Sequence, residues 1–350
     1  MAAPDYAGPL SDIKHRNTRR MKDHDYRGSC IYMFTIKKSP DAPVFSHVKG
    51  NPFVQGPVRF RPGCEPPESQ MPPYVEKTEI GMILDVEIRK LEEYRPEYIE
   101  IYKYVVMPDH CHILLRVKQR LKCSVVKYVS ATESAATSDC RRRGIIPRDA
   151  SLFDLEGIND RIVYGNGQLK ILREYIYDNP RRLLIKRLYP DLFRRMLGLQ
   201  VGDYSLDCVG NIFLLRKPMQ EVHVRRRWSE AECAEYVEKC VAAARSGMVL
   251  VSPAINRVEK EIMNMAIEEG GSVVRLSDRG FGERWKPAGK DFDLCAEGRL
   301  LVLVESGAAT GKQTMTYDKA TRLNRIAEYL AAGEAGSHRV TTGLKAAGRG

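Results

Sequence analysis

The chain has 350 residues, 29% of them charged and 43% hydrophobic, which suits roughly two globular domains with real cores. No apolar run reaches the ~18 residues of a membrane helix, no apolar signal core opens the chain, and the nine cysteines contain no CxxC pair; the expectation is a cytoplasmic protein with free thiols rather than a secreted disulfide scaffold or a zinc knuckle. The formal charge of +11 favours a polyanionic partner, although many basic enzymes share that bias.

In chain order, residues 1–26 read as a flexible basic arm. A strand follows at 30–36, where β-branched and aromatic residues alternate. Residues 38–74, rich in Pro and Gly, read as a long loop with one short strand. Apolar spacing predicts a helix over 77–93. Strands at 98–107 and 110–117 are joined at Pro108-Asp109, which is turn chemistry. A helix over 121–140 runs into Arg141-Arg-Arg-Gly144, and a strand near 158–164 leads to Gly165-Asn-Gly167. Helices are expected at 168–178 and 181–197, broken at Asn179-Pro180 because the residue before proline resists the α region. This order predicts an α+β domain over 27–200, with helices on one face of an antiparallel sheet.

From residue 205 the texture changes. Strands at 211–215, 248–253, 272–276 and 300–304 alternate with helices at 229–246, 257–269 and 317–332, predicting a Rossmann-like α/β domain over 205–333. Residues 334–350, rich in Gly and Ala, read as a disordered tail.

Two stretches carry candidate chemistry. In a strand, residues two apart share a face, so His110 and His112 lie together with Leu114 and Arg116, while Cys111, Ile113, Leu115 and Val117 face the core. The two imidazoles, ~7 Å apart at the backbone, can converge on one divalent cation; they can equally be two histidines at an exposed strand end. The second stretch is Arg173-Glu-Tyr-Ile-Tyr-Asp-Asn-Pro-Arg-Arg182. Tyr175 and Asn179 are four apart on a helix and so face one point, whereas Tyr177 points elsewhere. A phenolate beside a metal can attack a phosphodiester, and an amide oxygen is a hard ligand for magnesium or manganese. The competing reading is an ordinary amphipathic helix that ends at proline.

His110-Cys-His112, preceded by Met107-Pro-Asp109 and followed by Ile113-Leu-Leu115, resembles the histidine–apolar–histidine motif of HUH enzymes. Tyr175-Ile-Tyr-Asp-Asn-Pro180 resembles the tyrosine motif of single-tyrosine HUH transposases, in the REP-associated tyrosine transposase branch. The resemblance covers residues 27–195. It implies a ferredoxin-like or RRM-like domain acting on single-stranded, hairpin-bearing DNA, as monomer or homodimer. Tyr175 would form a 5′-phosphotyrosine and release a 3′-hydroxyl, with His110, His112 and Asn179 holding Mg2+ or Mn2+. Two features depart from the family: Cys111 is smaller than the usual aliphatic residue, and the C-terminal domain is additional. The alternatives are a domesticated protein that binds DNA hairpins without catalysis and a metal-dependent phosphodiesterase without a covalent intermediate.

Arg141, Arg142, Arg143, Arg181, Arg182, Lys186 and Arg187 are the candidate DNA contacts, since a phosphate backbone needs such groups. Tyr32, Phe34, Tyr102 and Tyr104 could stack on bases or pack in the core. The C-terminal strands loosely resemble the nucleotide-binding domain of the DNA-processing and lysine-decarboxylase-like superfamily, with Arg225-Arg-Arg227 placed to meet DNA or solvent.

Overall fold

The computed structural model describes residues 20–21, 23–54, 56, 66–154, 157–283, 285–311 and 314–333. Most of the expected basic arm and the expected tail lie outside them. The chain is a mixed α+β protein of two compact units, Met1–Leu184 and Ile185–Gly350. No helix among the described residues is long and apolar enough to cross a membrane.

The first unit runs β1 (Cys30–Lys37), β2 (Ser46–Lys49), β3 (Tyr74–Lys77), α1 (Glu79–Glu93), β4 (Ile99–Val106), β5 (His110–Val117), α2 (Val125–Arg142), β6 (Asn159–Val163) and most of α3 (Asn166–Leu188), whose residues from Ile185 on belong to the second unit. The main sheet has the order β4-β5-β1-β6, with every neighbouring pair antiparallel. The connection through α1 passes from β1 over β5 to β4, and the one through α2 passes from β5 over β1 to β6. The expected loop at 38–74 contains one short strand, β2, which pairs antiparallel with β3 starting at Tyr74. α1 starts where the Thr78 hydroxyl accepts from the Gly81 amide, a standard N-cap. Gly81 is required there: a Cβ would stand 1.9 Å from the Phe45 carbonyl oxygen.

Both faces of this sheet are apolar, and that decides its cover. Tyr32, Phe34 and Ile36 of β1 and Cys111, Ile113, Leu115 and Val117 of β5 pack with the buried residues of α1 and α2. The alternate residues Met33, Leu114 and Val163 pack instead with Leu172 and Ile176 of α3. Helices therefore cover two faces, not the single face expected, because an apolar stripe on each side must be buried.

α3 also passes through Asn179-Pro180 rather than stopping there. Proline removes one helical hydrogen bond, yet the helix continues, with Leu172 and Ile176 before it buried against Met33 and Leu114. The helix ends at Leu188, just before Pro190. The expected helix over 181–197 gives way to a 3-10 turn, Pro190–Phe193, and to β7 (Met196–Val201). β7 pairs with β8 (Tyr204–Gly210) through a two-residue turn in which Gly202 takes φ +58°.

The second unit continues with β9 (Met219–Glu221), α4 (Glu230–Arg245), β10 (Val249–Ser252), α5 (Arg257–Glu268), β11 (Val273–Ser277), α6 (Lys290–Ala296), β12 (Leu300–Glu305) and α7 (Tyr317–Ala332). Its sheet order is β7-β8-β12-β11-β10-β9. β9 to β12 are mutually parallel, and β8 runs antiparallel to β12. Cys240 of α4, Ile262 of α5 and Leu294 of α6 pack on one face with Leu250, Val273 and Leu300. Leu323, Ile326 and Leu330 of α7 pack on the other with Val249, Val251 and Leu301. The strand expected at 211–215 is a 3-10 helix, Ile212–Arg216, because the Asn211 side chain accepts from the Phe213 amide and turns the chain.

Candidate active site

The site is built on the face of the first sheet that α3 covers. β5 starts directly after the Pro108-Asp109 turn, so strand alternation places His110 and His112 on this face and Cys111 in the opposite core. The two imidazole rings stand 4.6 Å apart, centroid to centroid. α3 crosses over them and sets the Tyr175 ring 5.5 Å from the His112 ring. Tyr175 is half-buried, while Tyr177 is 72% exposed, with the Lys103 ammonium 4.7 Å from its ring.

Both histidines are held by the same ring nitrogen. His110 Nδ1 lies 2.7 Å from Asp109 Oδ1, and His112 Nδ1 lies 2.8 Å from Thr35 Oγ1. Thr35 faces His112 directly across the β1–β5 ladder. Burial pushes the His112 imidazole down to about 3, and the neighbouring His110 adds to the effect while Asp109 opposes it. His112 is therefore neutral at ordinary pH, the state that ligates a metal.

Asn179 is buried one helical turn beyond Tyr175. Its amide nitrogen donates to the Tyr175 carbonyl at 3.2 Å, which leaves the amide oxygen as the end available to a cation. Among the described residues, no three His, Cys, Asp and Glu side chains gather into a metal cluster. The groups that could hold a metal ion are instead the two imidazoles and the Asn179 amide oxygen. Such a mixed set fits a divalent ion that completes its shell with water or a phosphate oxygen.

The basic candidates separate in space. The Arg182 guanidinium lies 5.5 Å from the Tyr175 ring and 3.9 Å from Asp178. Arg181 makes a two-point bond to Asp178, at 2.5 and 3.1 Å. Arg141, Arg142 and Arg143 sit at the end of α2, which packs on the face away from the histidines. There Arg141 donates to the Ala150 carbonyl, while Arg142 and Arg143 pair with Asp139. Lys186 and Arg187 belong to the second unit, where Lys186 stands 5.6 Å from the Phe292 ring. Tyr32 and Phe34 are fully buried, which removes them as stacking surfaces. Tyr104 is partly buried and donates to Asp85, and Tyr102 packs beside α3.

Four other residues on this face escape the sequence reading. Thr35 and Asp109 support the histidines. Lys37 lies directly across from His110 and is exposed, and Arg161 lies across from Met33; paired residues in a ladder share a face, so both cations stand on the histidine side. The period-two pattern of β1 and β6 carries a signal for them, but only strand register reveals which residue faces which.

In the second unit, Arg225, Arg226 and Arg227 line a cavity of about 740 Å³ together with Asn256, Asn324 and Arg325. Gly307 and Ala308, with Ser277 and Lys319, line a smaller one of about 310 Å³. Both lie beyond the carboxyl ends of parallel strands, where open α/β sheets usually receive ligands.

No family model and no curated protein matches this chain. Among solved structures, it is similar to a REP-associated tyrosine transposase bound to a REP hairpin, at 14% identity over 46% of this chain and 72% of that one, with a TM-score of 0.30. It is also similar to DNA processing protein A from Helicobacter pylori, which was solved for its single-stranded DNA binding mode. That match has 19% identity over 36% of this chain and 56% of the other, with a TM-score of 0.26. Overlaps this partial establish no common fold, so the functional argument rests on the site.

Proposed function

We propose that the first unit is a metal-dependent nickase and strand transferase for single-stranded DNA, with Tyr175 as nucleophile. The observation that carries this reading is the convergence of His110, His112 and Tyr175 on one side of the sheet, with Asn179 one helical turn from the tyrosine. The strand–helix–strand–strand–helix–strand order supports a ferredoxin-like domain for this unit, and the four parallel strands support a Rossmann-like reading of the second.

His110, His112 and Asn179 would hold Mg2+ or Mn2+, which when bound polarises a phosphodiester. The Tyr175 phenol would give up its proton to solvent, and its oxygen would form a bond to phosphorus as the bond from phosphorus to the 3′-oxygen breaks. The tyrosine keeps the 5′-phosphate, and the released 3′-oxygen takes up a proton. The reverse attack by a 3′-hydroxyl rejoins the strand, which is why a covalent intermediate serves transfer as well as cleavage. Arg182 holds a positive charge beside the Tyr175 ring, where it would meet the negative charge that develops on the phosphoryl oxygens during attack. Lys37 and Arg161 provide phosphate contacts on the same face.

The test is an incubation of the whole chain with hairpin-bearing single strands in Mn2+ or Mg2+, followed by denaturing electrophoresis. Wild type and Tyr177→Phe should form a covalent protein–DNA adduct, and Tyr175→Phe should form none. An adduct that persists in Tyr175→Phe sinks the proposal. So does strand cleavage without any adduct, which would identify a metal-activated water as the nucleophile.

A further inference from the structure

We infer that Thr35 and Asp109 are positioning residues that fix both histidines as the Nδ1–H tautomer, so that each presents Nε2 to a single cation. The inference rests on the reading of His110 and His112 as metal ligands. It adds to that reading the residues that decide which ring nitrogen does the work.

A neutral imidazole carries one proton, and in solution either nitrogen can hold it. Asp109 Oδ1 lies 2.7 Å from His110 Nδ1. An ionised carboxylate only accepts hydrogen bonds, so Nδ1 of His110 must be the protonated nitrogen and Nε2 must carry the lone pair. Thr35 Oγ1 lies 2.8 Å from His112 Nδ1. A hydroxyl can accept as well as donate, and as acceptor it gives His112 the same tautomer as its neighbour.

Two supports of different origin thus produce one result. Asp109 comes from the turn that starts β5 and is adjacent in sequence. Thr35 comes from the neighbouring strand and meets His112 only because β1 and β5 pair in this register. With both Nδ1 atoms occupied and the rings 4.6 Å apart, only the two Nε2 atoms remain to ligate. Outer partners of this kind orient a ligating histidine and raise its basicity, and losing one costs on the order of 10- to 100-fold in metal affinity.

Side-chain nitrogen NMR of the metal-free chain at mildly alkaline pH reads the tautomer directly. Wild type should show both rings protonated at Nδ1. Asp109→Ala should release His110, and Thr35→Val should release His112, each to the solution mixture dominated by Nε2–H; Thr35→Ser should restore the wild-type signal. Mn2+ titration calorimetry of the same proteins should show roughly 10- to 100-fold weaker binding for the Ala and Val variants, with His112→Ala as the control that abolishes binding. Thermal melts of each variant separate loss of support from loss of fold. If wild-type rings are protonated at Nε2, or if Thr35→Val and Asp109→Ala bind Mn2+ as wild type does while His112→Ala does not, the inference fails and the metal site stands. If wild type binds no Mn2+, or His112→Ala binds it equally well, the metal reading itself fails.

Discussion

The ring of Tyr175 on α3 stands 5.5 Å from the ring of His112 on β5, with the two planes inclined by 57°. One residue belongs to a strand whose other face fills the main core, and the other to the helix that closes the second face. Their meeting depends on Leu172 and Ile176, which pack α3 against Met33 and Leu114. The apolar contacts that bury this face therefore also bring the candidate nucleophile to the candidate metal ligands.

In the proposed site Asn179 is the third donor, so its replacements should separate by chemistry. Asn179→Asp keeps an oxygen and should retain metal-dependent adduct formation. Asn179→Leu keeps the bulk but no donor and should lose it, with little change in melting temperature. The same denaturing electrophoresis decides this, and equal activity of the two variants would remove Asn179 from the ligand set.

The position of the cations gives a second outcome. Lys37→Ala with Arg161→Ala should weaken binding to a single strand and reduce the salt dependence by about 0.7 per lost phosphate contact in the log–log slope. Arg142→Ala with Arg143→Ala should change it little, since both guanidiniums pair with Asp139 on the far layer. Fluorescence anisotropy across a salt series measures both.

Glu133 on α2 is held up to about 7, against an ordinary 4.5, by burial. The folded chain therefore binds more protons than the unfolded one between those values, and stability falls as pH rises through that window. Because the side chain is partly exposed, the loss is roughly 1–3 kcal/mol between about pH 4.5 and pH 8. Glu133→Gln should flatten this dependence in denaturant titrations, and an unchanged slope would contradict it.

Gly81 permits α1 to lie against the Phe45 carbonyl. Gly81→Ala would bring a methyl group within 1.9 Å of that oxygen and should cost about 3 kcal/mol, through overpacking against backbone that cannot swing aside. Thermal denaturation followed by circular dichroism should show the melting point fall by several degrees.

In the second unit, the buried carboxylate of Glu259 accepts from the amides of Val224, Ile255 and Asn256 at 3.1, 2.8 and 3.3 Å. Glu259→Ala strands these donors and should cost about 3 kcal/mol. Both tryptophans of the chain, Trp228 and Trp285, lie in this unit, so denaturant titration read by intrinsic fluorescence reports on it.

Much of the fold is written in local patterns. The alternation of Cys30-Ile-Tyr-Met-Phe-Thr-Ile36 and the spacing of Ile80, Ile83, Leu84 and Leu91 mark β1 and α1, because each period maps one face onto a core. The elements missed are short or depend on their neighbours. The expected helix over 181–197 overlaps only the start of β7, β8 has no counterpart in the sequence reading, and β9 is only three residues long. At Asn179-Pro180 the local rule predicts a break, yet the helix continues through it.

For the site, the sequence by itself determined that His110 and His112 share a strand face and that Tyr175 and Asn179 share a helix face, since both follow from fixed backbone periods. Which faces meet is a long-range matter. Only the tertiary structure laid α3 over the histidine side, set Thr35 against His112 through strand register, and put the arginines at the end of α2 on the opposite layer. Periodicity acts along one element, whereas register and helix packing are decided by the apolar surface that the whole sheet must bury.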